Sequence, residues 1–357
     1  MVSVFFYLMI FIISSLIFAY GIKRSFKPAI VTGLILPIII SALRFNVGTD
    51  YQSYVDIYDN LSGVPIKVYL SGNFNIEIGF YIIMKIASLF SNSINVMFGI
   101  SSLLTTVFFY FGMKNFRIKN MALSFFLFLT ILYPQSFNLV RQYIAIAIAF
   151  YAFSFISNNK LLRFMFWILI ASAFHASALL LLPVYLIKNL VNNRKPESYY
   201  NLIRIIILLI TTLMCIPFLI SFISNIDYFN KYSNYKDVIN NGSNYIFYLK
   251  GLVYIVLSLF YRQINASNPK YLYIYLFATI DFALTSIGFI APMISRTGLY
   301  FSIFPLMILS AITCLFKDRL GIFTSYIMVV LYGSLYFIVI YYLNGYSDIF
   351  PYSWRFI

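Results

Sequence analysis

About a dozen apolar stretches follow one another along this chain, at roughly 3–21, 28–43, 77–91, 95–113, 121–135, 138–157, 162–174, 176–188, 201–224, 244–261, 270–290, 297–315 and 320–343. Most approach the ~20 residues that an α-helix needs to cross a ~30 Å hydrocarbon core. That succession excludes most folds. Inside a bilayer every backbone polar group must be satisfied internally, so only helices and closed barrels survive. The stretches are rich in Ile, Tyr and Phe and lack the ~10-residue alternation of a barrel strand. The expected fold is therefore all-α, a polytopic helical bundle integral to a membrane. With 62% hydrophobic and 10% charged residues, the chain has too little charge for a water-soluble surface. The longest polar stretches, 44–76, 191–200, 225–243 and 344–357, are too short to form a soluble domain. The whole of 1–357 thus reads as one transmembrane domain with outer loops at 44–76 and 225–243.

The net charge of +15 does not indicate a nucleic-acid partner. Its basic residues sit in short loops: Lys23, Arg24 and Lys27; Lys114, Arg117 and Lys119; Lys160 and Arg163; Lys188, Arg194 and Lys195; Arg262 and Lys270; Lys317 and Arg319. Such loops are kept cytoplasmic when helices insert. The termini and residues 44–76, 134–138, 225–243 and 291–296 then lie outside. Residues 1–21 lack a basic start and a small-residue cleavage site, so the first stretch is expected to stay as a span. Parity gives 12 crossings if 77–91, interrupted by Glu77 and Lys85, is re-entrant or interfacial. Only about 25 residues separate the basic loops at 163 and 188, so two short helices should meet there, at Ala173-Phe174-His175. Cys215 and Cys314 fall within apolar stretches and read as packing residues, with no disulfide or metal spacing.

Charged residues near a span are costly, and each is a functional candidate until it has a partner. Arg44 follows the second apolar stretch, and Gly48, Asp50, Tyr51 and Tyr54 follow it closely. Tyr51, Tyr54 and Tyr58 share one helical face, and Thr49 or Asp50 can cap that helix. Tyrosine faces suit sugar rings. Arg141 and Gln142 open a helix whose Ala145, Ala149 and Ala152 form a small-residue stripe for close packing. A guanidinium there suits a phosphate, with an interhelix salt bridge as the structural alternative. His175 is the chain's only histidine, placed at the expected helix break. Its ordinary pKa near ~6.5 suits proton transfer or contact with phosphate oxygen, although a lone buried histidine is often a core residue. Arg296 precedes a late span and makes a third outward arginine. Asp281 lies mid-span, where it is a candidate partner for an arginine or Lys85 and equally a candidate for a purely structural role. Tyr346, Asp348 and Tyr352 in the tail are weaker candidates. There is no phosphate-binding glycine loop, no dinucleotide fingerprint and no metal-ligand spacing. A nucleotide-sugar enzyme of the cytoplasm would carry a soluble domain, so a lipid-linked donor reached from the outer side is expected.

On these residues the chain resembles the EpsG family of Wzy-type polysaccharide polymerases. The resemblance rests on R-F-N-V-G-T-D-Y-x-x-Y at 44–54, N-L-V-R-Q-Y-I-A at 138–145, F-H-A-S-A-L-L-L-L-P-V-Y at 174–185 and S-R at 295–296. It implies a metal-independent glycosyltransferase, without a cofactor, in the cytoplasmic membrane of a bacterium. Such an enzyme joins repeat units of O-antigen, capsule or exopolysaccharide at the outer face. Donor and acceptor are oligosaccharides on undecaprenyl pyrophosphate, and a chain-length regulator and a flippase are the expected protein partners. Carried over by position, Asp50, His175 and Arg141 are expected to be catalytic. Arg44, Gly48, Tyr51, Tyr54, Gln142 and Arg296 are expected to bind substrate, and no residue is expected to bind metal. A flippase of lipid-linked oligosaccharide or a ligase would share the cationic cavity.

Overall fold

A computed structural model describes residues 2–72, 74–91, 93–190, 198, 242–287 and 296–355. The expected span 201–224, Cys215, the outer loop 225–243 apart from its last two residues, and most of 291–296 lie outside the described residues. Among those described the structure is helical, apart from one isolated antiparallel bridge between Arg44 and Trp354.

Two compact units divide the chain: residues 1–117, 121–185 and 330–357 form the first, and residues 118–120 and 186–329 form the second. The first contains α1 (Val2–Arg24), α2 (Lys27–Leu43), α3 (Tyr51–Leu61), α4 (Ile66–Ser71), α5 (Ile78–Phe90), α6 (Ile94–Phe116), α7 (Met121–Leu127), α8 (Val140–Phe153) and α9 (Leu161–Ser172). A wide π-turn at Phe128–Leu132 and a 3-10 turn at Tyr133–Phe137 carry α7 towards α8. The 3-10 segment Ala176–Leu190 starts in the first unit and only its last residues, 186–190, lie in the second, which then contains α10 (Gly242–Leu259), α11 (Tyr261–Ser267), α12 (Tyr271–Ile287) and α13 (Ile303–Ile312). Helix α14 (Arg319–Tyr336) starts in the second unit and runs into the first.

In the first unit α1 packs on α2 and α7, α2 on α6, and α6 on α5 and α8, while α8 also packs on α9. Local chemistry explains part of the α1–α2 contact. Pro37 inside α2 has no N–H, so the carbonyl of Gly33 loses its helical partner. Ser14 of α1 supplies one, its hydroxyl donating to the Gly33 carbonyl at 2.5 Å. Helix α8 is enclosed almost all round, and its alanine stripe at 145, 149 and 152 is fully buried, as close helix packing requires.

Among the described residues three helical segments are long and apolar enough to cross a membrane, Val2–Arg24, Ile94–Phe116 and Arg319–Leu343; the other apolar helices described are shorter, at 10–17 residues. The chain is a multi-pass helical membrane protein, and the figure of 12 crossings goes beyond what helix length establishes. Several expectations are corrected. Glu77 does not interrupt a helix but stands at the N-cap position of α5. Residues 134–138 are buried, with Gln135 accepting from the Tyr143 hydroxyl at 2.9 Å and Asn138 donating to Ser347 of the tail at 2.9 Å; which side of the membrane they face is a separate matter. Cys314 is exposed rather than packed. Asp281 pairs with neither an arginine nor Lys85. Its partner is Lys250, at 2.7 Å, which also donates to Thr285 at 2.9 Å and Ser302 at 3.2 Å. Lys85 instead donates to the Ser62 carbonyl at 2.8 Å.

Candidate active site

The break expected near residue 174 is present: α9 ends at Ser172 and the 3-10 segment begins at Ala176. His175 is held there by its N–H on the Ala171 carbonyl at 3.1 Å and by its own carbonyl, which accepts from Ala178 at 3.0 Å. The N-terminus of α5 docks on the same turn. The Gly79 N–H donates to the Ala173 carbonyl at 2.7 Å, and a Cβ at Gly79 would lie 2.6 Å from that oxygen. Only glycine permits the approach.

That docking brings Glu77 between two of the expected residues. One carboxylate oxygen accepts from Arg141 Nη1 at 2.6 Å. The other lies 3.1 Å from His175 Nδ1 and accepts from the Ala176 N–H at 3.3 Å. The three side chains are partly exposed, Glu77 at 20%, Arg141 at 25% and His175 at 31%. Burial pushes the Glu77 carboxyl up, but the His175 hydrogen bond and the Arg141 charge outweigh it and hold the group down at about 2. Glu77 is thus ionised and can only accept hydrogen bonds. It follows that His175 Nδ1 is the donor. In the neutral ring Nε2 then carries the lone pair, an imidazole oriented by a carboxylate as a general base requires. The Tyr54 hydroxyl completes the group with a hydrogen bond to Arg141; burial raises its pKa, and the nearby arginine opposes that.

The other motif residues surround this cluster unevenly. Gly48 sits at φ +103°, where a side chain is strained, and a Cβ would strike the Asn138 side chain. Asp50 occupies the N-cap position of α3 without a capping bond from its side chain, and it is half-buried. Tyr51, Tyr54 and Tyr58 share a face, but that face turns inward. Tyr51 and Tyr54 pack against Phe98, Tyr54 also against Phe80, and Tyr58 donates to the Ser91 carbonyl at 3.0 Å. The amphipathic α3 uses these rings to seat itself on α5 and α6. Gln142 is buried beside Arg141. Arg44 is enclosed rather than facing outward, between the rings of Phe98 and Phe137. Arg296 belongs to the second unit, where it is exposed at the start of a helical turn.

The EpsG family model matches residues 29–354, nearly the whole chain and every residue of this cluster. The chain belongs to the EpsG family. Members of the EpsG family are Wzy-like polysaccharide polymerases and exopolysaccharide biosynthesis proteins. No curated protein and no solved structure matches the chain. Against that background Glu77 is the residue that sequence reasoning missed. Its signal was available: it is one of only 10 acidic residues, and it stands directly before an apolar helix. Among the described residues no three His, Cys, Asp or Glu side chains are grouped to hold a metal ion.

Proposed function

We propose that this EpsG-family chain is a glycosyltransferase that polymerises lipid-linked oligosaccharide repeat units at the outer face of the cytoplasmic membrane. The growing glycan, held through its anomeric carbon on undecaprenyl pyrophosphate, is transferred to a hydroxyl on the non-reducing sugar of an incoming unit. The new bond joins the anomeric carbon to the acceptor oxygen, and the bond from that carbon to the pyrophosphate oxygen breaks. The acceptor proton passes to His175 Nε2, and the electron pair leaves with the pyrophosphate. A diphosphate is a good leaving group and needs no general acid, which suits a site short of protonated carboxyls. Arg141, with Arg44, answers the charge that grows on it. Asp50 is the alternative base, and the loop at 44–54 with Gln142 positions the sugars.

The observation that carries this reading is the Glu77 carboxylate shared between Arg141 and His175 at 2.6 and 3.1 Å. It supports the reading because a guanidinium and a carboxylate-oriented imidazole stand side by side at a partly exposed helix break. The test is a gel of lipid-linked and surface glycan from cells deleted for this chain and complemented with wild type, Arg141→Ala or His175→Ala. Single units accumulating outside, with no ladder, are expected for both variants. Units trapped on the cytoplasmic side would mean a flippase. Loss of transfer of finished glycan with an intact ladder on the lipid would mean a ligase. A normal ladder from both variants would remove these residues from the mechanism.

A further inference from the structure

Arg44 is 1% exposed, and its Nε, Nη1 and Nη2 make no hydrogen bond. Phe98 and Phe137 lie 3.9 and 4.5 Å from the guanidinium carbon and attract its charge through their faces. They leave the N–H edge unmet. The titratable groups around it are the phenols Tyr133, Tyr7, Tyr54 and Tyr51, not carboxylates. An unpaired charge in such a place weakens a fold, and an apolar side chain of the same size would serve packing better. A guanidinium edge, with parallel donors in a rigid fork, fits the oxygens of a phosphate.

What closes the compartment is the tail. Phe45 N donates to the Ser353 carbonyl at 3.0 Å, Arg355 N to Leu43 at 3.1 Å and Gly48 N to Asp348 at 2.9 Å. Trp354 pairs directly with Arg44. The other walls, Phe98, Tyr133, Phe137, Tyr51 and Tyr54, belong to packed helices. Residues 349–355 of the tail are not helical; Ser353 and Trp354 are exposed, while Ile349 is buried and Tyr352 donates to the Ile40 carbonyl at 3.0 Å. A surface cleft of about 300 Å³ runs along its flank beside Ser3, Tyr342 and Asp348. Of these walls the tail is the one that can part from Arg44 without a helix unpacking.

We propose that residues 345–355 form a strap that opens to admit a phosphate oxyanion to the edge of Arg44. Two sources share this chemistry: the diphosphate of the lipid-linked glycan, which rests on the polymerase reading, and the headgroup of an anionic lipid. The test uses the full-length protein in phosphatidylcholine nanodiscs, with inorganic pyrophosphate as the probe. Cysteines replace Phe45 and Ser353 in a Cys215→Ser, Cys314→Ser background, so that oxidation locks the strap. The reduced protein should bind pyrophosphate with a rise in thermal midpoint, and oxidation should weaken that binding at least tenfold. Arg44→Met should fold with a higher midpoint than wild type when no pyrophosphate is present, and should lose the response to it. An unchanged response in Arg44→Met, or equal binding in the locked and reduced proteins, overturns the proposal. Should Arg44→Met fail to fold, the locked and reduced pair decides alone. In discs with phosphatidylglycerol, loss of the response assigns the site to lipid headgroups, and its persistence assigns it to the diphosphate. No step of this test involves glycan transfer. Failure of the polymerase reading would appear instead as a normal ladder from the Arg141 and His175 variants.

Discussion

Replacing Glu77 by Gln keeps the shape of the side chain and removes its charge, so it tests whether the carboxylate orients His175. Burial raises the Glu77 carboxyl, yet the His175 hydrogen bond and the Arg141 charge bring it from an ordinary 4.5 to about 2. At about 1.36 kcal/mol for each pH unit, that difference corresponds to roughly 3 kcal/mol in favour of the folded, ionised form. The three side chains are 20–31% exposed, and solvent screening lowers the figure. The folded-state value lies below the unfolded one. The contribution is therefore complete above about pH 4.5 and is lost as the pH falls towards about 2. Thermal midpoints in detergent should follow this sign, wild type lying above Glu77→Gln at pH 7 and the gap closing across that window. Activity should fall further than stability. An amide can donate as well as accept, so it no longer fixes the proton on Nδ1, and the loss of an oriented base is worth about 10²–10⁴ in rate. The assay is repeat-unit transfer by the purified protein, paired with the glycan ladder in cells. Full transfer by a folded Glu77→Gln protein would refute the orientation argument. If the variant unfolds, Glu77→Asp decides, because it keeps the charge and shortens the reach to His175.

Arg141→Lys keeps the charge of the Glu77 partner but loses the fork, and near-complete loss of polymer is expected on the glycan gel; wild-type ladders would remove Arg141 from phosphate binding. Lys250→Met leaves the fully buried Asp281 without its counter-charge and should cost about 3–5 kcal/mol in denaturant unfolding, whereas Lys250→Met with Asp281→Leu should regain most of it. Equal losses in the single and double variants would argue against a purely structural pair. Gly79→Ala sets a Cβ against the Ala173 carbonyl and should cost about 1–3 kcal/mol by thermal unfolding, with weakened transfer, because α5 no longer docks at the break that holds His175.

The helices were legible because the bilayer leaves the sequence few alternatives, and so was the break before Ala176, because the spacing of the basic loops demanded it. Gly48 was legible for a local reason: its backbone sits at φ +103°. What stayed hidden was pairing. Glu77 meets its partners 64 and 98 residues away, and Asp281 meets Lys250 at 31. No periodicity encodes such distances. Lys250 passed unnoticed inside an apolar stretch because a single cation there barely changes the mean hydropathy. The direction of the α3 tyrosines stayed hidden for a related reason. Their shared face was read correctly, but a face has two destinations, and sequence alone does not say which side holds the protein. A chain with 10 acidic and 25 basic residues can neutralise few of its cations internally. Glu77 is divided between Arg141 and His175, Asp281 is taken by Lys250, and Arg44 has phenols for neighbours. In this chain the placement of its scarce carboxylates therefore says more about the site than the placement of its abundant cations. A cation without a carboxylate is where an anionic substrate can supply the missing charge.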